Sequence, residues 1–229
     1  MEKPQGLTPV DVWEEFVELE DFKEKAPEII PSLLEVGERR DVLVVTGENA
    51  SGKSLAFMIM NQLGRNFAKQ EKIDLEVMDI GMGRRTRSGM ERAFIFGDEN
   101  TDSTGNISLK VMQTAIANSR KRERCHYLML DEPDIGVGEG YHNAIGRYLA
   151  DYAGEMPDKR LGLVVATHSR RIAERLLEAG ASSLRLGGDL RPVRDWIRDG
   201  DIEKSVEDLI GLKDVSLERF RAVAAMLRD

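Results

Sequence analysis

The sequence predicts an α/β fold in which a mostly parallel sheet is flanked by helices. The apolar, β-branched run at residues 42–45 fits a strand that is buried on both faces, as strands of parallel sheets are. Further apolar runs alternate with helical segments along the chain, an order typical of parallel sheets. With 229 residues and 41% hydrophobic content, the chain can bury one substantial core, so we expect a single domain.

The core of this domain is expected to span about residues 38–190. Residues 1–37 should form a helical N-terminal extension of two short helices, the first capped by Thr8 with Pro9 at its first position. Residues 190–229 should form a helical C-terminal tail of two or three amphipathic helices with mixed charge. The tail carries no motif that indicates chemistry.

A glycine-rich segment follows the first predicted core strand directly and leads into a predicted helix at residues 55–69. It has the complete pattern G-x-x-x-x-G-K-S, formed by Gly47, Glu48, Asn49, Ala50, Ser51, Gly52, Lys53 and Ser54. Backbone N–H groups of such a loop can surround phosphate oxygens, and the helix adds its positive end. Lys53 would reach the β and γ phosphates, and the Ser54 hydroxyl is a suitable Mg²⁺ ligand. The segment therefore predicts binding of ATP with Mg²⁺.

An accidental lysine in an ordinary strand-to-helix turn is the alternative. From residue usage, we expect this pattern by chance in roughly 1% of chains of this length. The strand before the loop and the helix after it make chance less probable still.

The remaining predicted elements continue the alternation. Strands are expected at residues 75–80, 93–96, 161–166 and 183–186, and helices at residues 109–121, 141–154 and 170–177.

Two adjacent carboxylates, Asp131 and Glu132, end another apolar strand that begins near residue 127. Ligands bind at the carboxyl ends of strands in open parallel sheets. Because successive strand side chains point in opposite directions, the two acids should have different roles. Asp131 would hold Mg²⁺, and Glu132 would face the attacking water as general base. Capping of the next turn is the alternative role for this pair.

His168 follows the predicted strand at residues 161–166. A histidine at this position can be a satisfied core residue. Here it would also lie at the same sheet edge as the carboxylates, where it could donate a hydrogen bond to the γ-phosphate.

The small polar residues at 103–108 are typical of a helix start, and capping alone would explain them. Their position between the glycine-rich loop and the carboxylate pair suggests a second role in addition to helix capping. The residues concerned are Ser103, Thr104, Gly105 and Ser108.

These motifs, in this order, resemble the ABC-type ATPases over about residues 41–189. The resemblance implies that Glu132 is the catalytic base, that His168 is the switch histidine and that residues 103–108 correspond to the signature motif. It also implies that two subunits sandwich two ATP molecules, so that each signature segment completes the site of its partner.

The chain departs from the family pattern in three places. Leu-Ser-Gly-Gly-Gln is absent, so residues 103–105 or Ser108 must replace it. Ile135-Gly136-Val137-Gly138 stands where Ser-Ala-Leu-Asp is usual, and no residue can be assigned as the metal-binding glutamine. The departures favour a soluble homodimeric ATPase that switches a protein partner or a nucleic acid, as in repair, recombination or phage-defence systems. The alternatives are the nucleotide-binding subunit of a transporter and a small-molecule kinase.

Composition narrows the partners and the compartment. The net charge of −8 gives no global basic field for nucleic acid, so a DNA partner would depend on local clusters at Arg84, Arg85, Arg87 and residues 120–122. The single cysteine, Cys125, cannot form an internal disulfide, which favours a reducing cytoplasm. No stretch is long and apolar enough for an integral membrane segment.

Overall fold

A mostly parallel six-stranded sheet organises the residues that the computed structural model describes, which are 6–23, 26–81, 103–155 and 159–226. Its spatial order is β1-β6-β2-β5-β4-β3, and β1 alone among these strands runs antiparallel to its neighbour. The predicted α/β class is therefore confirmed at this level. The strands are β1 Ser32–Glu35, β2 Arg39–Gly47, β3 Leu75–Gly81, β4 Cys125–Asp131, β5 Arg160–Ala166 and β6 Ala181–Leu186.

Helices cover both faces of this sheet. Leu43 and Val45 of β2 join the apolar cluster on one face, and Val42 and Val44 join the cluster on the other, so β2 is buried on both sides as predicted. The helices are α1 Pro9–Glu18, α2 Glu20–Lys23, α3 Ala26–Ile29, α4 Lys53–Gln70, α5 Thr104–Arg120, α6 His142–Gly154, α7 Arg170–Glu178, α8 Val193–Asp199 and α9 Val206–Met226. Within these described helices, none is long and apolar enough to cross a membrane.

The N-terminal region is more closely integrated with the sheet than expected. Helix α1 begins as predicted: the Thr8 side chain accepts a hydrogen bond from the Asp11 N–H at 3.2 Å, and the Asp11 carboxylate accepts one from the Thr8 N–H at 2.9 Å. Trp13 and Phe16 of α1 lie inside the core, as the helical spacing of the apolar residues in this segment predicts. Residues 32–35, expected to be helical, form the edge strand β1, because they pair with β6.

The C-terminal region contributes to the core as well. Trp196 of α8 is 2% exposed, and the guanidinium carbon of Arg185 lies 4.6 Å from its ring centroid. The compact part of the chain therefore extends beyond residue 190. The two tail helices within the described residues agree with the prediction of two or three.

Most predicted element boundaries are close to those observed. Helix α5 is the main exception, because it begins at Thr104 and not at residue 109. The predicted strand at residues 93–96 and the basic loop at residues 84–89 lie outside the described residues.

Candidate functional site

The sequence-predicted motifs meet at one edge of the sheet. Strands β2, β5 and β4 are parallel neighbours in register, with Val45 opposite Ala166 and Ala166 opposite Asp131, so their carboxyl ends lie side by side. A cavity of about 580 Å³ opens there. Its lining includes Asn49, Ala50, Ser51, Gly52, Lys53, Ser54, Glu132 and His168.

The loop after β2 has the backbone that a phosphate-binding loop requires. Gly52 has a φ of 107°, a conformation that favours glycine. It precedes the 18-residue helix α4 without a side-chain hydrogen bond to the first turn. At Gly47, a Cβ would approach the Leu186 carbonyl oxygen to 2.4 Å. The start of α4 therefore presents N–H groups towards the cavity, where an anion can accept their hydrogen bonds.

Gly47 and Glu48 lie behind the cavity and support the loop. Their carbonyl oxygens each accept a hydrogen bond from Lys53 Nζ at 3.1 Å. The Glu48 side chain accepts a hydrogen bond from the Gly188 N–H at 3.1 Å and forms an ion pair with Lys204 at 2.5 Å. The loop is thus tied to residues that follow β6.

Lys53 is buried at the base of the cavity. Its side chain is largely withdrawn from water, and this burial lowers the pKa of Lys53 to about 8. The carboxylates of Glu132 and Asp131 act in the opposite direction, because their negative charges favour the protonated amine. Lys53 is therefore a cation at neutral pH that titrates unusually close to physiological conditions.

Ser54 and Asp131 provide two oxygen ligands next to each other. The Ser54 hydroxyl donates a hydrogen bond to Asp131 Oδ2 at 3.3 Å, and Asp131 is 8% exposed. No group of three or more His, Cys, Asp or Glu side chains among the described residues could form a metal cage. The pair instead fits Mg²⁺, which takes hard oxygen ligands and commonly uses one or two protein groups together with phosphates and water.

Glu132 is the first residue after β4, and its side chain lines the cavity. Its φ of 55° turns the chain just after β4, while its N–H still donates to the Ala166 carbonyl oxygen at 2.9 Å. His168 Nε2 lies 3.3 Å from Glu132 Oε1, and both side chains are about one-third exposed. The hydrogen bond from His168 lowers the pKa of Glu132, so the carboxylate is ionised at neutral pH.

Thr167 fixes the position of this histidine. Its N–H donates to the Val45 carbonyl oxygen at 3.1 Å, and its hydroxyl donates to Asp134 Oδ1 at 2.8 Å. The same hydroxyl accepts a hydrogen bond from the Ser169 N–H at 2.9 Å. His168 is therefore held between β2, the loop after β4 and the start of α7.

The residues predicted as a signature segment lie away from the cavity of their own chain. The Ser103 side chain caps α5 by accepting a hydrogen bond from the Asn106 N–H at 3.4 Å. Ser108 is buried, and its hydroxyl donates to the carbonyl oxygens of Thr104 and Ile135, at 3.1 and 2.8 Å. Ser103 and Thr104 are exposed, whereas Gly105 is buried. Only the first two are accessible to a second molecule.

The basic clusters considered for nucleic acid are only partly described. Arg120 forms two hydrogen bonds with the Glu155 carboxylate, and Arg122 forms two with Glu76. Lys121 is exposed between them. Arg84, Arg85 and Arg87 lie outside the described residues. The two arginine charges at 120 and 122 are thus balanced by acids of the same chain.

A second cavity, of about 960 Å³, lies on the other side of His168. Arginines and acids line it together. Arg198 is 2.9 Å from Asp195, and Arg171 is 3.7 Å from Glu174. This mixed charge is less suited to a polyanion than the lysine and N–H groups of the first cavity.

Several lining residues of the first cavity were missed in the sequence. Asp79 is near the carboxyl end of β3, a position at which a polar residue in a parallel strand is a recognisable signal. Met58 and Asn61 come from α4. Ser216, Arg219 and Phe220 of α9 also line the cavity, and no local pattern marks them.

Comparison with known proteins adds no family to these observations. No protein-family model matches the chain, and no curated protein matches it either. The motifs and the geometry of the site are therefore the basis for assigning a function.

Proposed function

We propose that the protein is a cytoplasmic, Mg²⁺-dependent ATPase of the ABC type that couples ATP hydrolysis to a conformational switch. The observation that carries this proposal is the convergence of Lys53, the Ser54–Asp131 pair and the Glu132–His168 pair at the 580 Å³ cavity. These groups come from three separate parts of the chain. Together they match the needs of phosphoryl transfer to water, in which positioning and charge stabilisation dominate.

The loop at residues 47–54 would bind the triphosphate through its N–H groups and the Lys53 cation. Ser54 and Asp131 would hold Mg²⁺, which supplies positive charge to the β and γ phosphate oxygens. The buried setting of Lys53 supports this role, because a charge acts more strongly where water is excluded.

Glu132 would accept a proton from the water that attacks the γ-phosphate. The carboxylate is ionised at neutral pH and can accept a proton, and its lowered pKa makes it a weaker base than an ordinary glutamate. His168 would orient Glu132 through their 3.3 Å contact, and its Nε2–H would donate to the γ-phosphate only after leaving Glu132. The hydrogen bonds of the neighbouring Thr167 fix the backbone position of His168.

Homodimerisation around ATP is part of the proposal and derives from the family resemblance. The exposed residues Ser103 and Thr104 would contact the nucleotide of the other subunit. A protein or DNA partner would respond to the opening and closing of the dimer.

ATP turnover and oligomeric mass, measured with and without DNA, test the function. Substitution of Glu132→Gln should preserve ATP binding, reduce hydrolysis by about 10²- to 10⁴-fold and cause a dimer to accumulate. The control Glu139→Gln replaces an exposed acid of the second cavity and should hydrolyse ATP like the wild type. A wild-type rate for Glu132→Gln, or no turnover by the wild type, would refute the assignment.

A further inference from the structure

The last described helix, α9, lies across the opening of the phosphate-binding loop. Most of its described side chains are exposed, but Val223 is fully buried in the apolar cluster that also contains residues of α1 and α4. Towards the loop, Ser216, Arg219 and Phe220 form one wall of the 580 Å³ cavity. Residues 216, 219, 220 and 223 share one helix face, because side chains three and four positions apart are neighbours.

Arg219 makes the direct contact between this helix and the loop. Its Nη1 donates a hydrogen bond to the Ala50 carbonyl oxygen at 2.5 Å. Ala50 has a φ of 58° and is itself part of the cavity lining. The guanidinium group is therefore fixed at the rim of the loop by one N–H group, and arginine has five such donors in a planar fork.

The charged side chains that line the cavity balance one another, so the preference for an anion comes from the guanidinium fork itself. Lys53 and Arg219 are its cationic lining residues, and Asp79 and Glu132 are its acidic ones. A triphosphate with Mg²⁺ retains net negative charge. The guanidinium fork matches phosphate oxygens in geometry, and such bonds are about twice as strong as those between neutral groups.

We propose that Arg219 is a phosphate ligand of the bound nucleotide, supplied by the C-terminal helix of the same chain. This inference rests on the proposed function, because it assumes that the cavity binds ATP. Helix α9 then forms one wall of the nucleotide site. The contact with Ala50 positions the guanidinium group beside the phosphates.

Equilibrium binding of Mg-ATP to full-length variants tests the inference. Arg219→Ala should weaken binding by about 10-fold or more, the usual effect of losing a hydrogen bond to a charged group. Arg219→Lys should retain part of the affinity, because it keeps the charge without the fork. Arg221→Ala removes an exposed arginine of the same helix, two residues away, and should bind as the wild type does.

Inorganic tripolyphosphate, used as a competitor, identifies the part of the nucleotide that Arg219 contacts. Its affinity should fall in Arg219→Ala as strongly as that of ATP. A loss for ATP alone, equal binding by Arg219→Ala and Arg221→Ala, or tighter binding by Arg219→Ala would each overturn the inference while leaving the ATPase proposal in place. If the wild type binds no ATP, both proposals fail.

Discussion

If the 580 Å³ cavity binds ATP as proposed, raising the pH should weaken this binding, because the cation at its base is an unusually acidic lysine. Burial lowers the pKa of Lys53 to about 8, and the neutral amine cannot attract phosphate as the ammonium does. A bound triphosphate favours the protonated form and raises this pKa. Affinity should therefore be full below pH 8 and decline as the pH rises through it.

The size of the decline follows from the fraction of protonated Lys53. With a pKa of about 8, this fraction falls from about 0.9 at pH 7 to about 0.03 at pH 9.5. If only the protonated form binds, the apparent Kd for Mg-ATP should increase by about 30-fold over this range. The phosphate groups contribute little to the change, because the second pKa of a phosphate monoester is about 6 and the group is already ionised above pH 7.

Isothermal titration calorimetry at constant ionic strength would measure this dependence, with circular dichroism to verify folding at each pH. The matched control is Lys53→Arg, because a guanidinium group stays protonated over the whole range. Its affinity can be lower at every pH, but it should vary much less between pH 7 and 9.5. A flat profile in the wild type, or equally steep profiles in both proteins, would refute the reasoning.

Three further predictions concern the loop and the core. Gly52→Ala should lower the free energy of unfolding by at least about 1 kcal/mol, because φ at this position is 107°. ATP binding, measured by calorimetry, should also be lost in this variant. Wild-type affinity would contradict the prediction. Trp196→Ala should lower the free energy of unfolding in urea by about 3–5 kcal/mol, with a smaller loss for Trp196→Phe, whereas equal losses would argue against a packing role. Burial lowers the pKa of His126, so on acidification the imidazole is protonated in the unfolded chain before it is protonated in the folded chain. The free energy of unfolding should therefore decline as the pH falls below about 6.5. The decline between pH 7 and 5.5 should be shallower in His126→Gln, and an unchanged slope would exclude His126 as its source.

The parts of the site that depend on local pattern could be predicted from the sequence. The loop at residues 47–54 and the acids at 131–132 each combine a strand with polar residues directly after it, and parallel pairing places such strand ends together. His168 likewise lies just after a strand, β5. Their roles in binding and hydrolysis stay predictions until ATP turnover is measured.

The features that depend on distant contacts could not be predicted in this way. The edge strand β1 is a four-residue segment without alternation of apolar and polar residues, and its pairing with β6 determines its conformation. Arg219 is 169 residues from Ala50 in the chain, and an arginine on a mixed-charge helix carries no signal of such a contact.

The hydrogen bonds around Thr167 have a structural consequence. The Thr167 hydroxyl donates to Asp134 in the short loop after Glu132. The carbonyl oxygen of the next residue, Ile135, accepts a hydrogen bond from the Ser108 hydroxyl in the first turns of α5. A continuous set of hydrogen bonds therefore connects the residue next to His168 with the exposed start of α5. If ATP is hydrolysed and the chain dimerises as proposed, this path would connect the γ-phosphate with the surface that a second subunit contacts.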